Sequence, residues 1–192
     1  MTLRFWLSKG ILKLSIALRY AVLAILPPRE ILQLAYEHYE REASREHSEA
    51  RIAQDLNEFE EALLENVLTS PRDLLILGCG GGREAMAFAK RGFRVEGVDM
   101  IPELVEGANA YAARHQLPAT FKCQDLTGLR LEPNSYDCAL ITLWLYEQLP
   151  SRVLRVQTLA TLRTILRAKG RVIFHFHLSQ PTQDERKIFY LL

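Results

Sequence analysis

The stretch Leu74-Leu75-Ile76-Leu77-Gly78-Cys79-Gly80-Gly81-Gly82 decides how this 192-residue chain is expected to fold. Four consecutive aliphatic residues are typical of a strand buried on both faces of a parallel sheet. The glycines that follow let the backbone pass close to a ligand. Residues 83–91 carry apolar side chains at helical spacing, so the loop leads into a helix whose free N–H groups face the same pocket. Asp99 ends the next apolar run, 21 residues after Gly78. A carboxylate placed there accepts hydrogen bonds from ribose hydroxyls, so the pattern predicts nucleoside binding.

Beyond Asp99, predicted strands and helices alternate along the chain. We expect strands over 93–98, 119–123, 137–143 and 171–177, a helix beginning at Pro102 and another over 151–167. This alternation predicts a Rossmann-like α/β fold, in which a doubly wound, mostly parallel sheet lies between two helical layers. Ligands of such sheets bind at the carboxyl ends of the strands.

Five motifs follow one another in a characteristic order. They are Gly78-x-Gly80-x-Gly82, Gly97-Val98-Asp99-Met100-Ile101-Pro102, Phe121-Lys122-Cys123-Gln124-Asp125-Leu126, Tyr136-Asp137 and Leu166-Arg167-Ala168-Lys169-Gly170. In this order, from about residue 74 to 177, the chain resembles the class I S-adenosylmethionine-dependent methyltransferases. The resemblance implies a methyl transfer by in-line displacement, with S-adenosyl-L-methionine as the cofactor.

The resemblance also implies which residues bind the cofactor. Gly78, Gly80 and Gly82 would line its methionine end, Asp99 would hold the ribose and Asp125 would reach the adenine amino group. The implied cofactor-binding set is Gly78, Cys79, Gly80, Gly82, Asp99, Met100, Asp125 and Leu126. The chain departs from the family at Ile76, where an acidic residue is usual, and at Gly81, where Thr is common. Ile76 has no group that could accept a hydrogen bond from the amino acid portion of the cofactor.

Two other functions compete with methyl transfer. A nicotinamide-dependent dehydrogenase needs a small residue where this chain has Arg83, and the shifted frame that begins at Gly80 leaves its first glycine two residues beyond the strand. A catalytically degenerate binding module is the second alternative, because Ile76 departs from the family. A glycine loop that only makes a turn would not explain Asp99 and Asp125 at two strand ends.

Residues around the fourth and fifth strands are candidates for the acceptor site. Trp144 and Tyr146 are predicted to contact the acceptor, and His177 or Glu147 to remove a proton from it. His175 is expected to be a hydrogen-bonded residue of the buried strand. The aromatic residues Tyr36 and Tyr39 are predicted to contact the substrate from a helical lid.

Composition and charge narrow the substrate class. The net charge is +1, and the chain has no stripe of basic and aromatic residues, so we expect a small-molecule substrate and no nucleic acid. The apolar N-terminus favours a lipophilic small molecule. Cys79, Cys123 and Cys138 are too far apart in sequence for a CxxC motif, which predicts no metal site and a reducing, cytoplasmic location.

Residues 1–70 are predicted to form a helical extension before a core domain over 71–192. The apolar segment 5–26 is interrupted by Lys9, Lys13 and Arg19, so it is predicted not to span a membrane. Residues 1–30 carry five basic residues and one acidic residue, and this segment could lie on a membrane surface at its periphery or pack on the domain. Further helices are expected over 31–39 and 51–68.

Only 15 residues follow His177, too few for the antiparallel hairpin that usually completes the sheet in this family. We therefore expect either a truncated chain or a reduced domain without the last two strands, with residues 188–192 as a helix. The open sheet edge would then need a cover, from the N-terminal helices or from a second molecule in an oligomer.

Overall fold

The computed structural model describes residues 25–46, 48–70, 72–143, 145–175 and 189–191. The helices are α1 (Pro28–Glu46), α2 (Glu49–Ile52), α3 (Glu58–Asn66), α4 (Arg83–Lys90), α5 (Pro102–Arg114) and α6 (Arg152–Ile165). The strands are β1 (Asp73–Leu77), β2 (Arg94–Asp99), β3 (Ala119–Cys123), β4 (Tyr136–Ile141), β5 (Leu166–Phe174) and β6 (Phe189–Leu191). A short 3₁₀ helix, Leu126–Gly128, follows β3.

The strands form one sheet in the order β3-β2-β1-β4-β5-β6. The first five are parallel, with Ile76 of β1 opposite Gly97 of β2 and Leu140 of β4. This arrangement confirms the predicted Rossmann-like doubly wound fold. The chain direction across the sheet reverses at β1, so the carboxyl ends of β1, β2 and β4 surround a crevice.

The end of the chain differs from the sequence prediction. Residues 188–192 were expected to form a helix, but Phe189–Leu191 form strand β6, antiparallel to β5. A short run of large apolar residues is compatible with a strand at the edge of a sheet as well as with a helix. At this length the spacing of apolar residues does not distinguish the two. Among the described residues the sheet therefore ends in one short antiparallel strand instead of a hairpin.

The side chains of strand β1 take part in two hydrophobic clusters, one on each face of the sheet. Leu74 and Ile76 pack against residues of α4 and α5 on one face, whereas Leu75 and Leu77 pack against residues of α6 on the other. All four are at most 1% exposed. Burying each such side chain stabilises the fold by roughly 1.5 to 3 kcal/mol relative to leaving it in water. The unbroken aliphatic run is thus the consequence of helices on both faces.

The segment predicted as one helix over 51–68 is two helices. Asn57 interrupts it, since its side chain accepts hydrogen bonds from the backbone N–H groups of Phe59 and Glu60 and so begins α3. The Glu60 carboxylate in turn accepts a hydrogen bond from the Asn57 N–H, which completes a capping box. The expected helix over 31–39 is longer, since α1 spans Pro28–Glu46.

Boundaries near β4 and β5 also differ from the prediction. Helix α6 ends at Ile165, and β5 begins at Leu166, five residues earlier than expected. The pairing of β4 with β5 shifts its register between Tyr136 and Cys138, and Lys169 has a φ of +67°. The segment before residue 171, which was expected to be a loop, is therefore the irregular first part of β5.

The predictions for residues 1–24, including most of the segment considered for membrane contact, lie outside the described residues. Within the described ranges, no helix is both long enough and apolar enough to cross a bilayer.

Candidate functional site

A cavity of about 520 Å³ lies at the carboxyl ends of the parallel strands. Its floor is the loop from Gly78 to Gly81, and its walls include the ends of β2, β3 and β4. Helices α1, α2 and α3 contribute to the other side. The volume is in the range of cavities that hold small molecules and cofactors. Of the predicted cofactor-binding residues, seven line it: Gly78, Cys79, Gly80, Asp99, Met100, Asp125 and Leu126.

The loop after β1 turns with backbone conformations that favour glycine. Gly78 has a φ of +72°, and a Cβ added there would lie 2.6 Å from Thr142 Oγ1. That hydroxyl shares its one proton between the carbonyl oxygens of Leu77 and Gly78, at 3.0 and 2.9 Å, which fixes the loop to the end of β4. Gly80 has a φ of +53°, but a Cβ added there would meet no atom within 4 Å. The backbone at Gly80 is therefore open towards the cavity.

Gly82 has a different role from the other two glycines. It is not among the described residues that line the cavity. A Cβ at Gly82 would lie 2.9 Å from the Phe121 ring and 3.2 Å from Ala108 Cβ, and its φ is +85°. Gly82 therefore allows α4 to approach β3 and α5 closely, a packing role that the resemblance did not indicate.

Asp99 holds the loop from the end of β2. Its Oδ2 accepts a hydrogen bond of 2.8 Å from the Gly80 N–H, and its Oδ1 accepts one of 3.1 Å from the Ile101 N–H. These contacts fix the carboxylate at the cavity wall.

Asp125 begins the 3₁₀ helix after β3. Its Oδ1 accepts hydrogen bonds from the Thr127 N–H and hydroxyl, at 2.7 and 2.8 Å. The side chain is exposed at the cavity, beside Leu126, which is 9% exposed. A fixed carboxylate next to an apolar side chain suits a flat aromatic ring that carries an amino group.

A buried ion cluster in the cavity was missed by the sequence analysis. Arg83 donates to both Glu60 oxygens, with distances of 2.9 and 2.5 Å, and it also lies 3.0 Å from Glu84 Oε1. The Glu60 side chain is only 4% exposed. Burial raises the pKa of Glu84, and the negative charge of Glu60 adds to this effect, although Arg83 opposes it. The signal that could have indicated Glu60 is the Asn57-x-x-Glu60 capping pattern.

His175 lies in the cavity at the end of β5, which the prediction of a purely structural role did not anticipate. Its ring stacks on the Phe59 ring, with centroids 4.0 Å apart and an angle of 19° between the planes. His177, the histidine expected to act as a base, lies outside the described residues, as does Trp144.

The other predicted acceptor-site residues are divided between the cavity and its surroundings. Tyr39 lines the cavity, where its hydroxyl accepts a hydrogen bond from Gln148. Tyr36 packs beside Ile101 and Leu104 instead. Tyr146 packs edge-on against Phe174 in the core, and Glu147 is exposed. The structure therefore brings only Tyr39 of these four to the cavity lining.

Cys79 is a buried member of the loop. Burial, together with the negative charges of Asp99 and Glu84, raises the pKa of its thiol well above the usual range. A neutral buried thiol is a poor nucleophile, so Cys79 serves the packing of the loop. In the part of the chain that the structure describes, no group of three or more Cys, His, Asp or Glu side chains could hold a metal ion.

The chain is similar to known methyltransferases in sequence. A family model described as a methyltransferase domain matches residues 74–170, about half of the chain. The ubiquinone biosynthesis O-methyltransferase of Coxiella burnetii is 29% identical over 110 residues, which cover 57% of this chain and 45% of that protein. The chain thus spans less than half the length of this curated relative.

Solved structures share the fold. A TehB-like S-adenosylmethionine-dependent methyltransferase from Corynebacterium glutamicum is 25% identical, with a TM-score of 0.59 and coverage of 74% of both chains. Phosphoethanolamine N-methyltransferase 1 of Haemonchus contortus, solved with phosphoethanolamine and S-adenosylhomocysteine, has a TM-score of 0.61 at 18% identity. That likeness covers 84% of this chain and 36% of the other.

Proposed function

Because the chain belongs to the class I S-adenosylmethionine-dependent methyltransferase family, we propose that it transfers a methyl group to a small-molecule acceptor. S-adenosylmethionine, the cofactor of this family, supplies a methyl carbon made electrophilic by its sulfonium. The protein then has to bind, align and desolvate the two reactants.

The observation that carries the proposal is the shape and chemistry of the cavity. Gly80 presents bare backbone to open space, and Asp99 and Asp125 lie at the ends of two neighbouring strands. These residues fit an adenosyl cofactor. The Gly78–Gly81 loop would hold the amino acid portion, Asp99 the ribose hydroxyls and Asp125 the adenine amino group. Met100 and Leu126 would contact the base from the cavity wall, while Gly82 supports the loop through its packing.

The acceptor would occupy the side of the cavity formed by α1, α3 and the turn after β4. Leu143, Leu145 and Leu149 make that side apolar, and Tyr39 and Gln148 supply polar groups. Residues 1–70 would form the helical extension that covers the site, with α1 to α3 as its described part. Such a cover would exclude water from the reacting groups.

An oxygen acceptor has to lose its proton, and His175 is our candidate base. Its ring lines the cavity, and the stacked Phe59 ring fixes the plane in which it can accept a proton. The named O-methyltransferase activity of the Coxiella burnetii relative favours oxygen acceptors as the first to be tested. His177 and Glu147 remain the alternatives from the sequence.

Calorimetric titration tests the proposal. Saturable binding of S-adenosylmethionine and S-adenosylhomocysteine, without binding of NADH, is the expected result and would exclude the dehydrogenase alternative. A folded sample that binds neither compound would favour the degenerate binding module. Phenols and catechols of increasing apolar chain length would then be screened for transfer of a radiolabelled methyl group, with His175→Gln as the test of the base.

A further inference from the structure

We propose that Glu84 binds the ammonium group at the amino acid end of the cofactor, and that the Glu60–Arg83 ion pair holds Glu84 in position. This assignment rests on the proposed function and names a residue for the part of the cofactor that the sequence left without an acidic partner. It also gives the buried ion cluster a function beyond stability.

The usual acidic position cannot perform this role in the present chain. Ile76 replaces it, and the Ile76 side chain is fully buried in the core between β1 and the helices of one face. A different carboxylate is therefore needed near the glycine loop. Glu84 is two residues beyond Gly82, in the first turn of α4, and it lines the cavity together with Gly78, Gly80 and Gly81.

The three cavity carboxylates follow the order of the strands. Asp125 comes after β3, Asp99 ends β2, and Glu84 begins the helix after β1, and these strands are adjacent in the order β3-β2-β1. An adenosyl cofactor is likewise linear, with the base, the ribose and the amino acid portion in sequence. If Asp125 and Asp99 hold the first two parts, the third part reaches the loop after β1 and the first turn of α4, where Glu84 lies.

Hydrogen bonding within the cluster selects Glu84 over Glu60. Glu60 already accepts four hydrogen bonds: two from Arg83 and two from Asn57, through its backbone N–H and its side-chain amide. A carboxylate has about four acceptor positions, so Glu60 is saturated. Glu84 makes one ion pair with Arg83, and its side chain is 22% exposed, compared with 4% for Glu60. Glu84 therefore retains acceptor positions that a ligand can reach.

The charge of the cluster also favours binding of a cation. One guanidinium lies between two carboxylates, which leaves an excess negative charge in a partly enclosed cavity. A buried charge without compensation is destabilising, and the raised pKa of Glu84 reflects this. A bound ammonium would neutralise the excess.

The test measures whether Glu84 and the ligand ammonium act on each other. The full chain is titrated with S-adenosylhomocysteine and with the analogue that lacks only its amino group. We expect the wild type to bind S-adenosylhomocysteine at least tenfold more tightly than the deaminated analogue, and Glu84→Gln to bind the two within twofold of each other. Glu61→Gln is the matched control, because Glu61 lies on the same helix as Glu60 but pairs with Arg91 outside the cavity lining, and it should discriminate as the wild type does.

Two results would overturn the assignment. Either Glu84→Gln discriminates between the ligands as strongly as the wild type, or the wild type itself does not discriminate. The second result needs no variant, so it is decisive even if Glu84→Gln fails to fold. Failure of the proposed function looks different, since the wild type would then bind neither ligand.

Discussion

Replacing Gly80 by alanine is expected to reduce cofactor binding with little loss of stability. The new Cβ would meet no protein atom within 4 Å, so the main penalty is the left-handed backbone, with its φ of +53°. That conformation costs about 1 kcal/mol for a residue other than glycine. The same Cβ would project into the cavity, where the cofactor has to contact the loop. We expect S-adenosylhomocysteine to bind at least tenfold more weakly, a loss of about 1.4 kcal/mol or more.

The neighbouring glycines provide the comparison. In Gly78→Ala the Cβ would lie 2.6 Å from Thr142 Oγ1, and in Gly82→Ala it would lie 2.9 Å from the Phe121 ring. Overpacking of about 1 to 3 kcal/mol adds to the backbone penalty, so each should lower the free energy of unfolding by about 2 to 4 kcal/mol. Urea denaturation and calorimetry measure the two quantities. The reasoning would be refuted if Gly80→Ala bound the ligand like the wild type, or were as destabilised as the other two variants.

Three further predictions follow from single contacts. Asp99→Ala should remain folded but bind S-adenosylhomocysteine at least tenfold more weakly by calorimetry, because a charged acceptor for the ribose is lost; unchanged affinity would contradict the ribose assignment. Asn57→Ala should lower the free energy of unfolding in urea by about 1 to 2 kcal/mol through loss of the α3 cap, whereas Asn66→Ala at the other end of α3 should change it by less than about 0.5 kcal/mol. Hydrogen bonding to Arg94 lowers the pKa of Asp73, so its stabilising effect is present above the ordinary carboxyl pKa and is lost as the pH falls through the lowered value. Asp73→Asn should therefore be less stable than the wild type at neutral pH, with a difference that closes on acidification; a difference independent of pH would exclude this explanation.

The sequence predicted the sheet because its signal is local and redundant. Leu74–Leu77 can be buried on both faces only between two helical layers, and the helices that follow carry apolar residues at helical spacing. The positions of Asp99 and Asp125 at the cavity were predictable for the same reason, since each ends or follows a strand of that sheet. The patterns that predicted β1 and these two carboxylates thus lie within one continuous stretch, residues 74–125.

The rest of the cavity depends on contacts between distant segments. Glu60 and Arg83 belong to different helices, and Phe59 and His175 are 116 residues apart in sequence. Nothing in the sequence near His175 indicates that an aromatic ring of α3 will stack on it, so strand alternation alone did not predict that His175 lines the cavity. The break at Asn57 was missed because the apolar spacing continues across it, although a local side-chain cap outweighs that spacing.

The first turn of α3 connects the two halves of the cavity. Phe59 stacks on His175, which lies on the proposed acceptor side, and the adjacent Glu60 accepts hydrogen bonds from Arg83 on the proposed cofactor side. If both reactants bind as proposed, a ligand that shifts this turn from one side would also shift it on the other, and the two binding events would share a coupling free energy. Thermodynamic linkage then makes the effect reciprocal: the factor by which the cofactor changes acceptor affinity equals the factor by which the acceptor changes cofactor affinity. If the coupling is favourable, binding of either reactant raises the affinity of the protein for the other. A methyl acceptor that binds without the cofactor is then held only weakly.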